Sequence, residues 1–570
     1  MQNRKPHSIV VLLSILISFS YLTQSRGQSR HPVVAENGMV VSSDRIASEV
    51  GIDVMRNGGN AIDAAVATAF AMAVTLPGAG NVGGGGFLVY HGSDGTVTAF
   101  DFREKAPSAA TETMFLDKNG NIKNDSNHEG LLSVGVPGTV AGLVLAHKRL
   151  GSKPWAELIE PSIRLAQKGF PVNRSLHRSM AYFRSKFLEH GSTAKVFFKS
   201  DGSLYEFGEI WKQPDLANTL TRIQRKGRDG FYKGKTADLI VKFMKKNGGL
   251  ITKKDLAQYE AVEREPIHGS YRGYDIFSMP PPSSGGVALI EMLNILEGFN
   301  LAEMGHNSAL YLHILTEAMR YAFADRARYL GDPDFNPNMP IDRLISKDFA
   351  EGLRNGIQLY RASKSRPEDV VQSHESEQTT HFSVVDAQGN AVSLTYTLEA
   401  WFGSKIVAEG TGFLLNNEMG DFNPIPGHTD ETGLIGTSPN LVKPEKRMLS
   451  SMTPTIVAIG GKPVLVIGTE GGRKIINGVL QVILNIFDFQ MNIAEAISAG
   501  RIHHEWLPDV TLIEQRATTL DSQRLYKMMG HKIRQVTSLN TMMGIIIDYE
   551  KQLYFGTSDP RDQASAAVGF

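Results

Sequence analysis

The spacing of apolar residues changes several times along the chain, and each change marks an element. Residues 45–56 carry apolar side chains at helical spacing, follow Ser43 or Asp44 as the capping residue, and stop at Asn57-Gly58-Gly59. The alanine-rich run that continues to Leu76 is apolar on all sides, which predicts a buried helix. A glycine run, Gly83–Gly86, then leads into the alternating stretch FLVYHGSDGTVTAF. Ser93-Asp94-Gly95 predicts the turn of a hairpin there. The middle, about 130–360, reads as mostly helical with polar faces, interrupted by MPPPSSGG at Met279–Gly286. Residues 362–378 have almost no apolar content and predict a loop or linker. From Thr379 onward the pattern turns densely β, with helical stretches near 474–500 and 521–530.

The first residues have a different logic. Arg4 and Lys5 precede an apolar stretch from Ile9 to about Leu22, and the polar run TQSRGQSRHP follows. This predicts a secretory signal over residues 1–28 and export to a periplasm or the outside, with an uncleaved anchor as the alternative. The stretch falls short of the roughly 20 residues a spanning helix needs.

Composition narrows the chemistry. The 570 residues include 59 Lys+Arg and 59 Asp+Glu. A neutral chain has no bulk attraction for phosphate backbones, so nucleic acid is not an expected partner. There is no cysteine, which removes disulfides, a thiol nucleophile and Cys-ligated metal. A covalent intermediate therefore needs an oxygen or amine nucleophile.

Three motifs fail on context. Gly78–Gly83 matches GxGxxG, but a helix precedes it and a strand follows, the reverse of a dinucleotide site. Gly230–Thr236 has three residues between its glycines where a P-loop needs four. Asp332, Asp334, Asn336 and Asn338 have calcium-loop spacing, but Pro337 and Arg343 occupy the positions of the required Gly and Glu.

The segment that carries chemistry starts at Thr379. His381–Val385 and Ala391–Thr397 predict strands joined by a short loop in which Gly389 supplies positive φ. A three-residue loop, 387–389, sets Ser383 opposite Ser393, His381 opposite Thr395 and Thr379 opposite Thr397. Most threonines at strand starts reflect β-propensity alone. Here a polar linker, a threonine opening the strand and a second threonine facing it form a set. Cleavage before Thr379 frees an α-amine, which titrates near 8 and can activate the hydroxyl of its own residue.

With these residues in view, the chain resembles the γ-glutamyltranspeptidases of the N-terminal nucleophile hydrolase superfamily. The resemblance rests on Thr379-Thr380-His381, Gly389-Asn390, Thr395–Glu399 and Phe402-Gly403. It extends to NVGGGGF at 81–87, FDFREKAP at 100–107, PPSSGG at 281–286, LGDPDF at 330–335, LLNNEMGDF at 414–422, LSSMTPTIV at 449–457, and Gly471-Gly472. It implies an α/β (α+β) fold, a four-layer αββα sandwich. It also implies one shared domain cut between Gln378 and Thr379 into a large subunit, 29–378, and a small subunit, 379–570, which form a heterodimer.

The roles implied by resemblance are specific. Thr379 is the nucleophile, Thr397 orients its hydroxyl, and the Gly471 and Gly472 amides hold the oxyanion. Arg103, Ser450 and Ser451 bind the donor's α-carboxylate, and Glu399, Glu418 and Asp421 its α-ammonium. Glutathione and related γ-glutamyl compounds are the donors. Water, amino acids or dipeptides are the acceptors. No metal or organic cofactor is implied. Two departures stand out. Thr469-Glu470 occupies the place of a Ser-Pro common in bacterial relatives, and in the expected lid, Gly427–Asn440, Thr432 stands where a Tyr is usual. The rival readings are a glutaryl or cephalosporin acylase and a γ-glutamyl-binding protein that is never processed.

Overall fold

The structure is a computed structural model, and it describes residues 31–367 and 379–570. Residues 32–570 form one compact unit. The expected signal segment lies outside the described residues.

Two seven-stranded sheets make the frame. The first runs, edge to edge, Ala566–Gly569, Met39–Ser42, Thr380–Val385, Ala391–Thr397, Gly85–His91, Val97–Asp101 and Val262–Arg264. The second runs Val33–Ala35, Leu553–Ser558, Met542–Asp548, Lys462–Thr469, Thr455–Ile459, Tyr274–Ser278 and Ile267–Tyr271. Neighbouring strands within both are antiparallel. Alternation along each strand sends one set of side chains inward and the other outward. Val41, Phe87, Val89 and Val385 meet Ile456, Val466, Met543 and Ile545 between the sheets. Each such side chain contributes about 1.5–3 kcal/mol on full burial.

Helices cover the outer faces. Ala61–Thr75, with all fifteen residues buried, packs with Phe382, Val384, Val392 and Leu394 on the first sheet. Helices Gly285–Glu297, Ala309–Tyr329 and Lys474–Phe487 cover the second. This is the αββα sandwich that the resemblance implied. Caps fix the helix starts. Asp44 Oδ1 accepts the Ala47 N–H at 3.0 Å, and Asn60 forms a capping box with Asp63.

The middle of the chain departs from the mostly helical expectation. Val262–Arg264, Ile267–Tyr271 and Tyr274–Ser278 are strands. They lie at or beside sheet edges, so polar residues such as Glu263, His268 and Ser270 stand outward among the apolar ones and blur the pattern. Arg272 and Gly273, both at positive φ, make the tight turn of the hairpin.

Candidate active site

The hairpin that carries Thr379 forms as its loop chemistry requires. Asp386 Oδ1 accepts the Gln388 and Asn390 N–H groups at 3.0 Å, and Gly389 sits at φ 85°. The register pairs Val385 with Ala391, Ser383 with Ser393 and His381 with Thr395. Continued by one pair, it sets Thr379 against Thr397, both 3% exposed. The two-residue period places this polar column on the face toward the second sheet. Ser383 donates to the Met543 carbonyl and Ser393 to that of Ile467. His381 is held by Thr395 Oγ1 at 2.8 Å and Ser383 Oγ at 3.1 Å. Burial pushes its pKa down to about 3, so it is a neutral structural imidazole.

Thr379 and Thr397 line a cavity of about 20 Å³, room for roughly one water, with Arg103, Glu399, Glu418, Asp421, Ser450, Ser451 and Gly472. The structure thus brings together nine of the ten site residues expected from sequence. Gly471 is the exception and stands one residue back, at φ 122°, with Gly472 at 58°. These values favour glycine. The Gly471 and Gly472 carbonyls accept from Lys474 and Ile475 N–H at the start of helix Lys474–Phe487. The amides consequently lie at the positive end of that helix.

Arg103 follows the strand Val97–Asp101 and is wholly buried. Its Nε donates to the Met448 carbonyl at 3.2 Å and its Nη2 to that of Leu449 at 3.1 Å. Its two Nη groups are ion-paired with Glu418 and Asp421. These acids occupy one turn, Glu418–Asp421, fixed by Asn416, whose Oδ1 accepts the Glu418 N–H at 3.1 Å. Asn416 also ties Gly83 and Gly135 together through its amide. The glycine run is explained by close approach: a Cβ on Gly84 would lie 2.0 Å from the Thr397 carbonyl oxygen.

Sequence reading missed Glu104. It is fully buried, with Oε2 3.8 Å from Arg103 Nη1. Burial raises the pKa of both Glu104 and Glu418, Arg103 opposes it, and their mutual repulsion adds to the rise for Glu418. Two buried carboxyls thus stand beside one guanidinium, each drawn toward its neutral form by burial and toward its charged form by Arg103. Only the local RE dipeptide in FDFREKAP signalled this acid.

The serine pair is braced from behind. Arg326, on helix Ala309–Tyr329, donates through Nη2 to Ser451 Oγ at 3.2 Å and through Nε to Ser284 Oγ at 2.8 Å. Ser284 in turn donates from both Oγ and N–H to the Ser450 carbonyl at 2.7 Å. Sequence reading singled out PPSSGG but not Arg326.

The two departures have local outcomes. Glu470 is not part of the cavity lining. Its carboxyl is beside Thr541, Asp559 and Asp562, and loss of solvent pushes its pKa up to about 8. Thr432 is exposed and closes a turn, donating from N–H and Oγ1 to Asp430 Oδ1 at 2.9 and 2.6 Å. It does not reach the cavity lining.

Among the described residues, one cluster has metal-type donors: His313, Glu317 and His531. Its atoms are already committed. His313 Nε2–H donates to the Gln358 carbonyl at 2.8 Å, so Nδ1 accepts from His531 at 2.7 Å, and Glu317 pairs with Arg320 at 3.4 Å. A resident guanidinium makes this a poor cation site.

Comparison with known proteins agrees with the geometry. Residues 47–569 match the family described as Gamma-glutamyltranspeptidase. A glutathione hydrolase proenzyme of Pseudomonas sp. (strain A14) is 45% identical over 551 residues, covering 95% of this chain and 96% of the relative. The glutathione hydrolase proenzyme of Escherichia coli (strain K12) is 45% identical over 543 residues, covering 95% and 93%. Among solved structures, cephalosporin acylase from Bacillus halodurans superposes with a TM-score of 0.84 at 28% identity, covering 96% of this chain and 98% of that one. Helicobacter pylori gamma-glutamyltranspeptidase gives 0.56 at 46% identity, covering 60% of this chain and 95% of that one.

Proposed function

Because the chain belongs to the gamma-glutamyltranspeptidase family, we propose that Thr379 both cuts its own chain and serves as nucleophile of the mature enzyme. The enzyme is a glutathione hydrolase and γ-glutamyltransferase made as a proenzyme. In processing, Thr379 Oγ attacks the Gln378 carbonyl carbon and its amide nitrogen leaves, giving an ester. Water hydrolyses that ester, releasing the Gln378 carboxylate and a free Thr379 α-amine. The products are the large subunit, 29–378, and the small subunit, 379–570.

In turnover, the α-amine takes the Thr379 Oγ proton as Oγ attacks the donor's γ-carbonyl. The lining includes no histidine to compete for that role. Positioned proton transfer of this kind contributes about 10²- to 10⁴-fold. Thr397 Oγ1 accepts the Glu399 N–H at 2.9 Å, which directs its own proton elsewhere, toward Thr379. Gly471 and Gly472 amides take the oxyanion, and such donors are each worth about 10²- to 10³-fold. The amine leaving group departs protonated, and water or an acceptor amine then releases the γ-glutamyl ester.

The observation that carries the substrate assignment is Arg103 paired with Glu418 and Asp421 at the cavity that contains Thr379. A zwitterion can insert there without loss of charge balance. Its α-carboxylate replaces a protein carboxylate on the guanidinium, and its α-ammonium goes to the carboxylate so released. Ser450 and Ser451 complete the carboxylate end. A glutaryl group has no ammonium and would strand a buried carboxylate, which disfavours the acylase reading. Turnover of γ-glutamyl and glutaryl anilides tests this. The γ-glutamyl compound is expected to win by 100-fold or more in kcat/KM, given about 1.4 kcal/mol per tenfold. Equal rates would overturn it.

No helix among the described residues is long and apolar enough to cross a membrane. Export through the N-terminal segment remains part of this proposal, supported by the Arg4, Lys5 and Ile9–Leu22 pattern.

A further inference from the structure

Glu399, which lines the cavity, has an unusual setting. It is a non-glycine residue at φ 80°, a strained conformation found at functional positions. Both of its carboxylate oxygens are held. Asn417 Nδ2 donates to Oε2, and His128 Nδ1 lies 3.0 Å from Oε1. A carboxylate only accepts, so Nδ1 carries a proton toward it.

His128 is anchored for this contact. Its N–H donates to the Asp125 carbonyl at 2.8 Å, and its own carbonyl accepts from Asn417 Nδ2 at 3.2 Å. The ring stands over Gly420, where a Cβ would come within 2.3 Å of Nδ1. The imidazole is about a quarter exposed, so it exchanges protons with solvent, while Glu399 is sealed inside. The charged groups that face the ring are Glu399, Asp421 and Asp125, all acidic. Glu418 lies beyond Glu399, and Lys405 also senses Glu399.

We propose that His128 is an internal cation of the ammonium subsite, which competes with the donor's α-ammonium for Glu399 and so sets the pH dependence of donor binding. The inference rests on the reading of Glu399 as an ammonium acceptor. When the ring is charged, it neutralises Glu399 and the incoming ammonium gains less. When the ring is neutral, Nδ1–H still orients Glu399 but no longer cancels its charge. Burial lowers the ring's pKa, but Glu399 together with Asp421 and Asp125 outweighs it, leaving the net value above the ordinary 6.5. By linkage, an ammonium bound at Glu399 must lower the imidazole pKa, so donor binding expels a proton.

Mature enzyme is the material for the test, comparing wild type with His128→Gln and His128→Lys. Wild-type KM for a γ-glutamyl anilide is expected to fall about tenfold as pH rises through the imidazole range, one pKa unit being tenfold. His128→Gln should lose that limb, while His128→Lys should keep a high KM throughout. Calorimetry of L-glutamate binding near pH 7, in buffers of different ionisation enthalpy, should show proton release in wild type and none in His128→Gln. Superimposed wild-type and His128→Gln profiles with unchanged proton release would overturn the inference. Wild type that binds glutarate as tightly as L-glutamate would instead overturn the ammonium-subsite reading beneath it.

Discussion

Arg103 and Glu418 are ion-paired where neither side chain touches solvent, and Asp421 takes the other end of the same guanidinium. Removing one partner of a buried pair leaves an uncompensated charge, at about 3–5 kcal/mol. Arg103→Gln should therefore lower both thermal stability and donor affinity. Arg103→Lys should retain more stability but lose the two-pronged grip, raising donor KM at least tenfold. Thermal melts and steady-state kinetics on the two variants check the separation.

Thr397→Val keeps the shape of the residue and deletes the oxygen that accepts the Glu399 N–H at 2.9 Å. Both self-cleavage and turnover should slow, with kcat lower by about 10²-fold and KM less affected. A time course of chain splitting, followed by kinetics on the fraction that matures, measures the two effects.

Arg326 is hydrogen-bonded to Ser451 and Ser284 behind the cavity. Arg326→Lys should raise donor KM several-fold with little change in kcat. Combined with Ser451→Ala, the effects should be less than additive, because the second change removes the hydroxyl that Arg326 positions for the donor. A double-mutant cycle on KM reads this coupling. Simple additivity would place Arg326 outside carboxylate recognition.

The legible part of this molecule is local and periodic. Ser43 or Asp44 announces the first helix, and Gly389 fixes the register that sets Thr379 against Thr397. Of the three rejected motifs, Gly78–Gly83 fails on its flanking elements, and the other two fail on their own spacing and residues. What escaped the sequence is what the fold brings together. Arg326 lies 125 residues from the serine it braces, and His128 lies 271 from Glu399. Neither has a local signature. Glu104 was visible as a residue but not as a buried acid, since its partner Glu418 arrives from a distant turn. The strands 262–278 were obscured for another reason: edge strands keep polar residues outward, which dilutes the alternation.

Glu470 gives a pH prediction with a definite sign. Its folded pKa, about 8, is above the ordinary 4.5. Folding retains a proton that the unfolded chain releases, so this group's contribution to stability is complete below about pH 4.5. It declines as pH rises toward 8. Glu470→Gln carries no such charge. Its melting temperature should gain on wild type steadily between pH 4.5 and 8, and level off above. A constant offset across that window would contradict the assignment.

In the proposed mechanism Thr379 is both the point at which the precursor is cut and the nucleophile of the mature enzyme. Intact-mass and N-terminal sequencing of the purified, active protein tests it directly. Two chains are expected from the 62.4 kDa precursor, a small one of roughly 21 kDa and a large one of roughly 38 kDa after loss of the signal. The small chain must begin with Thr379, and Thr379→Ala must stay whole and inactive. An active preparation that remains one intact chain, or a small chain beginning at any other residue, would contradict it.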